Sequence, residues 1–386
     1  MAPPMENRVH QSMPALKVVH LTSVHSAMDP RIFKKECRSL ARAGFDVTIV
    51  GPHPEDTVEE QVRILSVKKH RSRVARMTRT VWSVFQAARQ LDADVYHFHD
   101  PELIPAALLL RGIGKNVVYD VHEDYPKDIL FKAYLPRWSR PLVSRIAEHI
   151  EKAACRHFSA LVSVTPFIAE RLKAANSRTA IVYNYPYPEE LIGKAPTRWK
   201  DRGVSATYVG TITPQRGIVE IVRAMELLPS SLDAVLEIAG DSMPEQIKRF
   251  EGWSRVRFHG PLNQTDTYGL LRGARVGLLC EHPIPTFVES MPVKLFEYMG
   301  AGLPVIVSDF PLWRALLDGL DCAIFVDPLS VREVARAMEY LLTHDQEAER
   351  MGRRGQAAVI ERWNWNTELP KLVDLYTELV SARCAG

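Results

Sequence analysis

The chain changes its hydrophobic period repeatedly, and it does so in two blocks. Short β-branched runs alternate with stretches whose apolar residues recur every three or four positions. In the first block, runs at 17–21, 46–50, 62–65, 94–98, 116–119 and 179–183 read as strands. Ile32, Phe33, Cys37, Leu40 and Ala41 share one helical face, and Gly44 ends that helix. Thr165-Pro166 reads as an N-cap followed by Pro at the first helical position. In the second block, strands are predicted at 206–209, 234–238, 256–258, 276–279, 304–307 and 323–326. Helices fall between them at 218–228, 265–271, 293–299 and 331–342. A Pro-rich, mostly polar stretch, 184–204, separates the blocks. The pattern predicts an α/β protein of two Rossmann-like, doubly wound parallel-sheet domains. Such sheets bind ligands at the carboxyl ends of their strands, so two of them facing across a cleft would place a site there.

The expected division is a disordered leader at 1–15, one domain at 16–190, a second at 191–365 and a final helix at 366–386. The leader has Pro and polar residues and lacks the apolar segment of a signal peptide. The tail, amphipathic at 369–381, either crosses back to the first domain or packs on its own. The longest uncharged apolar stretch, 103–110, is stopped by Arg111. It is far short of the about 20 residues a membrane helix needs. Five cysteines, an odd number with no CxxC pair, argue against a zinc ribbon or disulfide framework and for a reducing, cytoplasmic compartment. A net charge of +3 is too mild to indicate nucleic acid by itself.

The most informative motif is Glu289-Ser-Met-Pro-Val-Lys-Leu-Phe-Glu297, followed by Tyr-Met-Gly-Ala-Gly-Leu-Pro-Val-Ile-Val-Ser-Asp. Pro292 suits the first turn of a helix, and Gly300 and Gly302 suit its end. In one continuous helix, glutamates eight apart are offset by roughly 80°. A loop position for Glu289 instead lets both acids face one ligand. E-x7-E followed by a Gly-Leu-Pro-Val strand resembles the donor motif of retaining family-4 glycosyltransferases of the GT-B fold (glycosyl transferases group 1), and the resemblance runs from Val18 to about Leu379. It implies that Glu297 binds the ribose hydroxyls of a nucleotide-diphosphate sugar and that Glu289 touches the donor sugar. It also implies that the first domain binds the acceptor, a saccharide or lipid-linked saccharide, and the second the donor. A solvated glutamate pair on an ordinary helix is the alternative.

The second element is Tyr208-Val-Gly-Thr-Ile-Thr-Pro-Gln-Arg-Gly-Ile218. A strand ends at Gly210 and a helix starts near Gly217, whose free amides attract phosphate. The family usually has a cation just after the first glycine and another before the later one. Thr211 occupies the first of these positions here and Arg216 the second. Lys294 stands where it would supply the missing charge; both cations have an ordinary surface role as the alternative. Gly240 and Arg257 fall where the resemblance puts base recognition. No metal and no cofactor is expected, since these cations and the helix dipole hold the leaving diphosphate. The DxD at Asp92-Ala93-Asp94 precedes a strand and reads as a helix-to-strand turn.

In the first domain, Val117-Val-Tyr-Asp-Val-His-Glu-Asp124 runs a strand into His122. In similar enzymes a histidine here contacts the donor sugar or the attacking hydroxyl; packing or capping is the other reading. The loop 22–31 lacks the Gly-Gly pair of many relatives. His25, Asp29 and Arg31, with His99, are acceptor-side candidates, while Asp29 before Pro30 equally suits an N-cap. The family reading of the chemistry is front-face displacement with retention and no carboxylate nucleophile, unlike retaining glycosidases, in which Arg216, Glu289 and His122 act on the reacting groups.

Seven Lys/Arg fall at 63–79 with no acid among them, and 132–145 mixes Arg137, Arg140 and Arg145 with Leu135, Trp138, Leu142 and Val143. These stretches suit either an anionic membrane surface or a solvated face. Nucleic acid is not expected, since no binding motif accompanies the charge. Two rivals remain: a nucleotide-sugar epimerase of the same fold, and a metal-dependent hydrolase using His97 and His99 of His97-Phe-His-Asp100.

Overall fold

The computed structural model describes residues 15–132, 134–193 and 197–384, with Arg383 and Cys384 described by backbone alone. All but Ala15 of the expected leader therefore lies outside the described residues. The chain divides into two units, one of 1–182 with 369–386 and one of 183–368.

The first unit carries β1 (Lys17–Leu21), β2 (Asp46–Pro52), β3 (Thr57–Glu59), β4 (Val62–Val67), β5 (Val95–Phe98), β6 (Asn116–Val121), β7 (Ala160–Ser163) and β8 (Thr179–Ile181), in the order β3-β4-β2-β1-β5-β6-β7-β8. Every pairing is parallel except β3 with β4. The second unit carries β9 (Ser205–Val209), β10 (Val235–Ala239), β11 (Val256–Phe258), β12 (Val276–Leu279), β13 (Val305–Ser308) and β14 (Ala323–Val326). Its order is β11-β10-β9-β12-β13-β14, parallel throughout. In each sheet the winding reverses next to the first strand, between β1 and β5 and between β9 and β12. At such a switch point neighbouring loops diverge to opposite faces and leave a crevice.

β1, β2, β5 and β6 are buried on both faces because helices cover both sides of a parallel sheet. Tyr96, Phe98 and Tyr119 are fully buried, and the Phe98 and Tyr119 rings stack at 4.4 Å. Burial of each such ring contributes about 1.5–3 kcal/mol. Side chains set several helix starts: Thr165 accepts from the Ile168 amide, Asn263 from Asp266 and Ser330 from Glu333.

Several elements were not anticipated, three of them for a physical reason. β3 is an antiparallel edge strand whose turn, Glu60 (φ 44°) and Gln61 (φ 68°), uses no glycine. β7 is a four-residue apolar run that periodicity cannot separate from helix. The helix Arg140–Cys155 directs Leu142, Ile146 and Ile150 toward solvent, the reverse of the usual pattern. The Asp92-Ala93-Asp94 segment is the turn between the helix Val81–Arg89 and β5, with Asp92 at φ 42°. The last helix, Trp365–Cys384, belongs to the first unit from Leu369 onward.

Candidate functional site

In the second unit, β9 ends at Val209 and the chain turns through Gly210 (φ 131°) and Pro214–Arg216 into Gly217 (φ 74°), which caps the helix Ile218–Leu227. Glycine is required at 217 twice over: φ is left-handed, and a Cβ would sit 1.9 Å from the Cys280 carbonyl oxygen. A Cβ on Gly240 would sit 2.2 Å from the Gly210 carbonyl. The ends of β9, β10 and β12 are thus packed backbone to backbone, with a helix start exposing its first amides beside them.

Glu281 follows β12 and is fully buried. Its Oε1 accepts from the Arg216 guanidinium and lies 3.6 Å from Lys294 Nζ. Its backbone oxygen accepts from Ser308 Oγ at 2.6 Å. One buried carboxylate therefore gathers the two cations at the switch point of this sheet. Arg216 also lies over the Phe287 ring at 4.4 Å, and Lys294 over Tyr208 at 4.9 Å. The Lys294 side chain is 16% exposed and its ammonium makes no hydrogen bond. Burial pulls its pKa down to about 8; Glu281 opposes this and Arg216 adds to it.

Glu297 lies on the helix Val293–Gly300, where Tyr268 Oη donates to Oε1 at 3.4 Å. Glu289 ends the short helix Pro285–Val288 and stands on the loop ahead of the next. That loop is pinned by Trp313 Nε1 donating to the Ser290 carbonyl at 2.9 Å. Pro292 sits just before the helix, not within its first turn, because its ψ of 130° is extended. Tyr208 Oη donates to the Thr211 carbonyl at 2.5 Å. Arg257 stands on the edge strand β11 and pairs with Glu237 at 2.5 Å, which also holds His259 at 2.6 Å. None of the described contacts joins Arg257 to Arg216, Lys294 or Glu297.

In the first unit, the carboxyl ends of β1, β5 and β6 surround Asp100. Its Oδ2 accepts from Thr22 Oγ1 at 2.7 Å and from the Ser23 and Val24 amides at 2.6 and 3.0 Å. Its Oδ1 meets His25 Nδ1 at 2.8 Å. Burial alone would raise the Asp100 pKa, but His25 and the amides outweigh it and hold the acid well below its ordinary range. The same bond raises the His25 pKa against its burial. His25 opens onto a pocket of about 250 Å³ shared with Arg73, His122, Tyr125, Lys132 and Tyr134. His122 follows β6, its ring 5.2 Å from that of His25. Burial lowers its pKa, with Asp120 opposing, so a neutral ring borders the pocket.

Two acceptor-side expectations are corrected. Arg31 turns inward, 5% exposed, and bonds Asp120 through Nε at 2.8 Å and NH2 at 3.2 Å; a guanidinium this buried does not reach an acceptor. His99 is 1% exposed, with Nε2 3.0 Å from His20 Nδ1 and Nδ1 3.2 Å from Asp120. It is among the residues lining the pocket, but its nitrogens point to His20 and Asp120. Asp29 takes the capping role: Oδ1 accepts from the Arg31 and Ile32 amides at 2.8 and 3.2 Å. The open hydrolytic site imagined at His97 and His99 is also ruled out. His97 is fully buried and meets Tyr376 Oη at 2.5 Å, leaving no entry for a substrate.

The residues missed from sequence are Glu281, Asp100, Asp120, His20, Glu36 and Tyr376. A signal existed for the first two, since each is an acid directly beyond an apolar strand. None existed for Tyr376, which lies 279 residues from His97.

Residues 31–185 match the model of a glycosyl transferase 4-like domain, and 192–358 match glycosyl transferases group 1. The chain is 24% identical over 309 residues to the MMP alpha-(1->4)-mannosyltransferase of Mycolicibacterium hassiacum, covering 76% of this chain and 73% of that one. It is 24% identical over 300 residues to the phosphatidyl-myo-inositol mannosyltransferase of Mycobacterium leprae, covering 75% of each. Among solved structures, sucrose-phosphate synthase from Thermosynechococcus elongatus superposes with a TM-score of 0.72 at 17% identity, over 95% of this chain and all of that one. HepE from Anabaena, in complex with UDP and glucose, gives 0.71 at 13% identity, over 94% of this chain and all of that one.

Proposed function

Since the chain belongs to the family-4 glycosyltransferases of the GT-B fold, we propose that it moves a sugar from a nucleoside-diphosphate donor to a saccharide or lipid-linked saccharide. In this reading the anomeric configuration is retained and no metal takes part in the transfer. The observation that carries the reading is Glu281, a buried acid that fixes Arg216 and Lys294 beside the glycine-capped helix start.

The diphosphate lies against Arg216, Lys294 and the amides after Gly217, with Gly210 and Thr211 lining its approach and Gly240 keeping the loop close. Glu297 accepts from the ribose hydroxyls, which suits a carboxylate facing a vicinal diol. Glu289 holds the donor sugar, and Arg257 stands on the base side. In the transfer the bond from the anomeric carbon to the phosphate oxygen breaks. The acceptor oxygen bonds to the same face, and its proton passes to the departing phosphate. Positioned cations and amide dipoles stabilise that developing charge. His25 and His122 border the acceptor pocket, where they orient the attacking hydroxyl.

The M. leprae relative is named for a lipid, phosphatidyl-myo-inositol. In keeping with a lipid-linked acceptor and a role in surface glycoconjugate synthesis, the first unit bears an outward apolar row. Leu142, Ile146 and Ile150 lie at i, i+4, i+8 of the helix Arg140–Cys155, and Trp138 just before it is 82% exposed. Lys132, Arg137, Arg140 and Arg145 flank the row. Apolar side chains among cations suit a peripheral site on the inner, anionic leaflet of a membrane. Among the described residues no helix is long and apolar enough to cross one.

The test is product stereochemistry. With EDTA present and an α-linked donor, the anomeric proton coupling of the product reports an α linkage. A β linkage, or an absolute need for added Mg²⁺, refutes the mechanism. Isomerised donor in the absence of acceptor marks an epimerase instead. Trp138→Ala with Leu142→Glu releases the protein from anionic liposomes; unchanged co-sedimentation refutes the membrane face.

A further inference from the structure

Beneath the acceptor pocket, three imidazoles and a carboxylate converge in the dry interior of the first unit. β1 and β5 run parallel with His20 opposite His97, so the two rings share a face of the sheet. His99 follows His97 by two residues and keeps that face. The helical segment Pro30–Cys37 covers it and delivers Glu36. All four residues are at most 1% exposed. Glu36 Oε2 lies 3.5 Å from His20 Nδ1, 3.8 Å from His97 Nδ1 and 3.7 Å from His99 Nε2, and the two nitrogens of His20 and His99 are 3.0 Å apart. All four ligating atoms lie within 4.8 Å of one another.

We propose that His20, Glu36, His97 and His99 form a closed, four-coordinate structural site for zinc. Bonds of 2.0–2.2 Å in a tetrahedron place neighbouring ligand atoms about 3.3 Å apart, and the observed separations bracket that value. Glu36 Oε1 lies 3.1 Å from Arg31 Nε, while Oε2, which faces the three imidazoles, is buried without a hydrogen-bond partner, a costly state for a carboxylate oxygen. None of the described contacts of Arg31 reaches Oε2: its guanidinium meets Glu36 at Oε1 and Asp120 at both oxygens. His99 shows the usual outer arrangement of a metal-bound imidazole: Nε2 faces the cluster and Nδ1 lies 3.2 Å from the Asp120 carboxylate.

Three nitrogens and one carboxylate oxygen select zinc over the oxygen-loving Mg²⁺ and Ca²⁺. The four protein ligands leave no position for water, so the ion ties β1, β5 and their covering helix together and takes no part in transfer. Tyr376 Oη, 2.5 Å from His97 Nδ1, competes for one ligand atom. Its hydroxyl must turn away when the metal binds.

The experiment uses the full chain without a histidine tag, incubated with ZnCl₂, desalted and analysed by mass spectrometry of the elements. About one zinc per chain is expected, removed only by a chelator in mild denaturant and with a fall in Tm. The same stoichiometry is expected in Tyr376→Phe, and loss of zinc in the double variant Glu36→Gln, His97→Gln. If that variant does not fold, cobalt(II) in the wild-type protein decides: visible bands of a tetrahedral centre support the site. Wild-type protein that retains no zinc, or a cobalt complex with the pale octahedral spectrum of a surface-bound ion, overturns it.

Discussion

Lys294→Met separates the stability of the second unit from its chemistry, with opposite signs for the two. Methionine keeps the stem and removes the ammonium, which is buried beside Glu281. The fall of the Lys294 pKa from 10.5 to about 8, driven first by burial, means that the folded chain disfavours the charged amine. That preference is worth about 3 kcal/mol. Between pH 8 and 10.5 the unfolded chain holds a proton that the folded chain has released. Stability therefore rises with pH across that window, and the full penalty acts below it. Glu281 keeps Arg216 in the variant, so part of the penalty is recovered as a gain of about 1–3 kcal/mol at pH 7. Urea unfolding at pH 7, 8, 9 and 10 measures both effects: the variant starts more stable and lacks the rise. In the proposed transfer that charge also stabilises developing phosphate, so kcat/KM is expected to fall by about 10²–10³. A variant less stable than wild type at pH 7, or one with the same pH slope, refutes the account of Lys294.

Other outcomes follow from single contacts. Gly217→Ala combines a left-handed φ with a Cβ 1.9 Å from the Cys280 oxygen and lowers stability by about 3 kcal/mol or more, read from Tm. Arg31→Met leaves Asp120 as a buried acid without its cation and costs about 3–5 kcal/mol in urea unfolding. Asp29→Ala removes the cap of the helix beginning at Pro30 and costs about 1 kcal/mol, with donor affinity unchanged.

The two-block α/β alternation was legible because parallel strands buried on both faces, separated by capped helices, leave a strong periodic signal. Thr165-Pro166 is an example: the cap and the proline stand where the chemistry of a helix start demands them. The donor-side residues Glu289, Lys294 and Glu297 were visible as a motif, but Glu281, which organises the cations, was not. It is one acid after an apolar run, and only the pairing of β12 with β9 brings it to Arg216. The first unit hides more. Arg31 resembles a surface ligand until Asp120, 89 residues away, draws it inward. The outward row Leu142, Ile146 and Ile150 has the spacing of a core face, and periodicity cannot say which side of such a helix meets solvent.

The central claim is that a nucleotide is gripped by Glu297 with Arg216 and Lys294, without metal. Titration calorimetry in EDTA with UDP, GDP, ADP and dTDP tests it most directly, on wild type and Glu297→Ala. The account predicts that one nucleotide binds wild-type protein and that the variant loses about 1.5–3 kcal/mol of affinity for it, the range for a hydrogen bond to a charged group. Equal affinity in the variant, or binding only after Mg²⁺ is added, would contradict it.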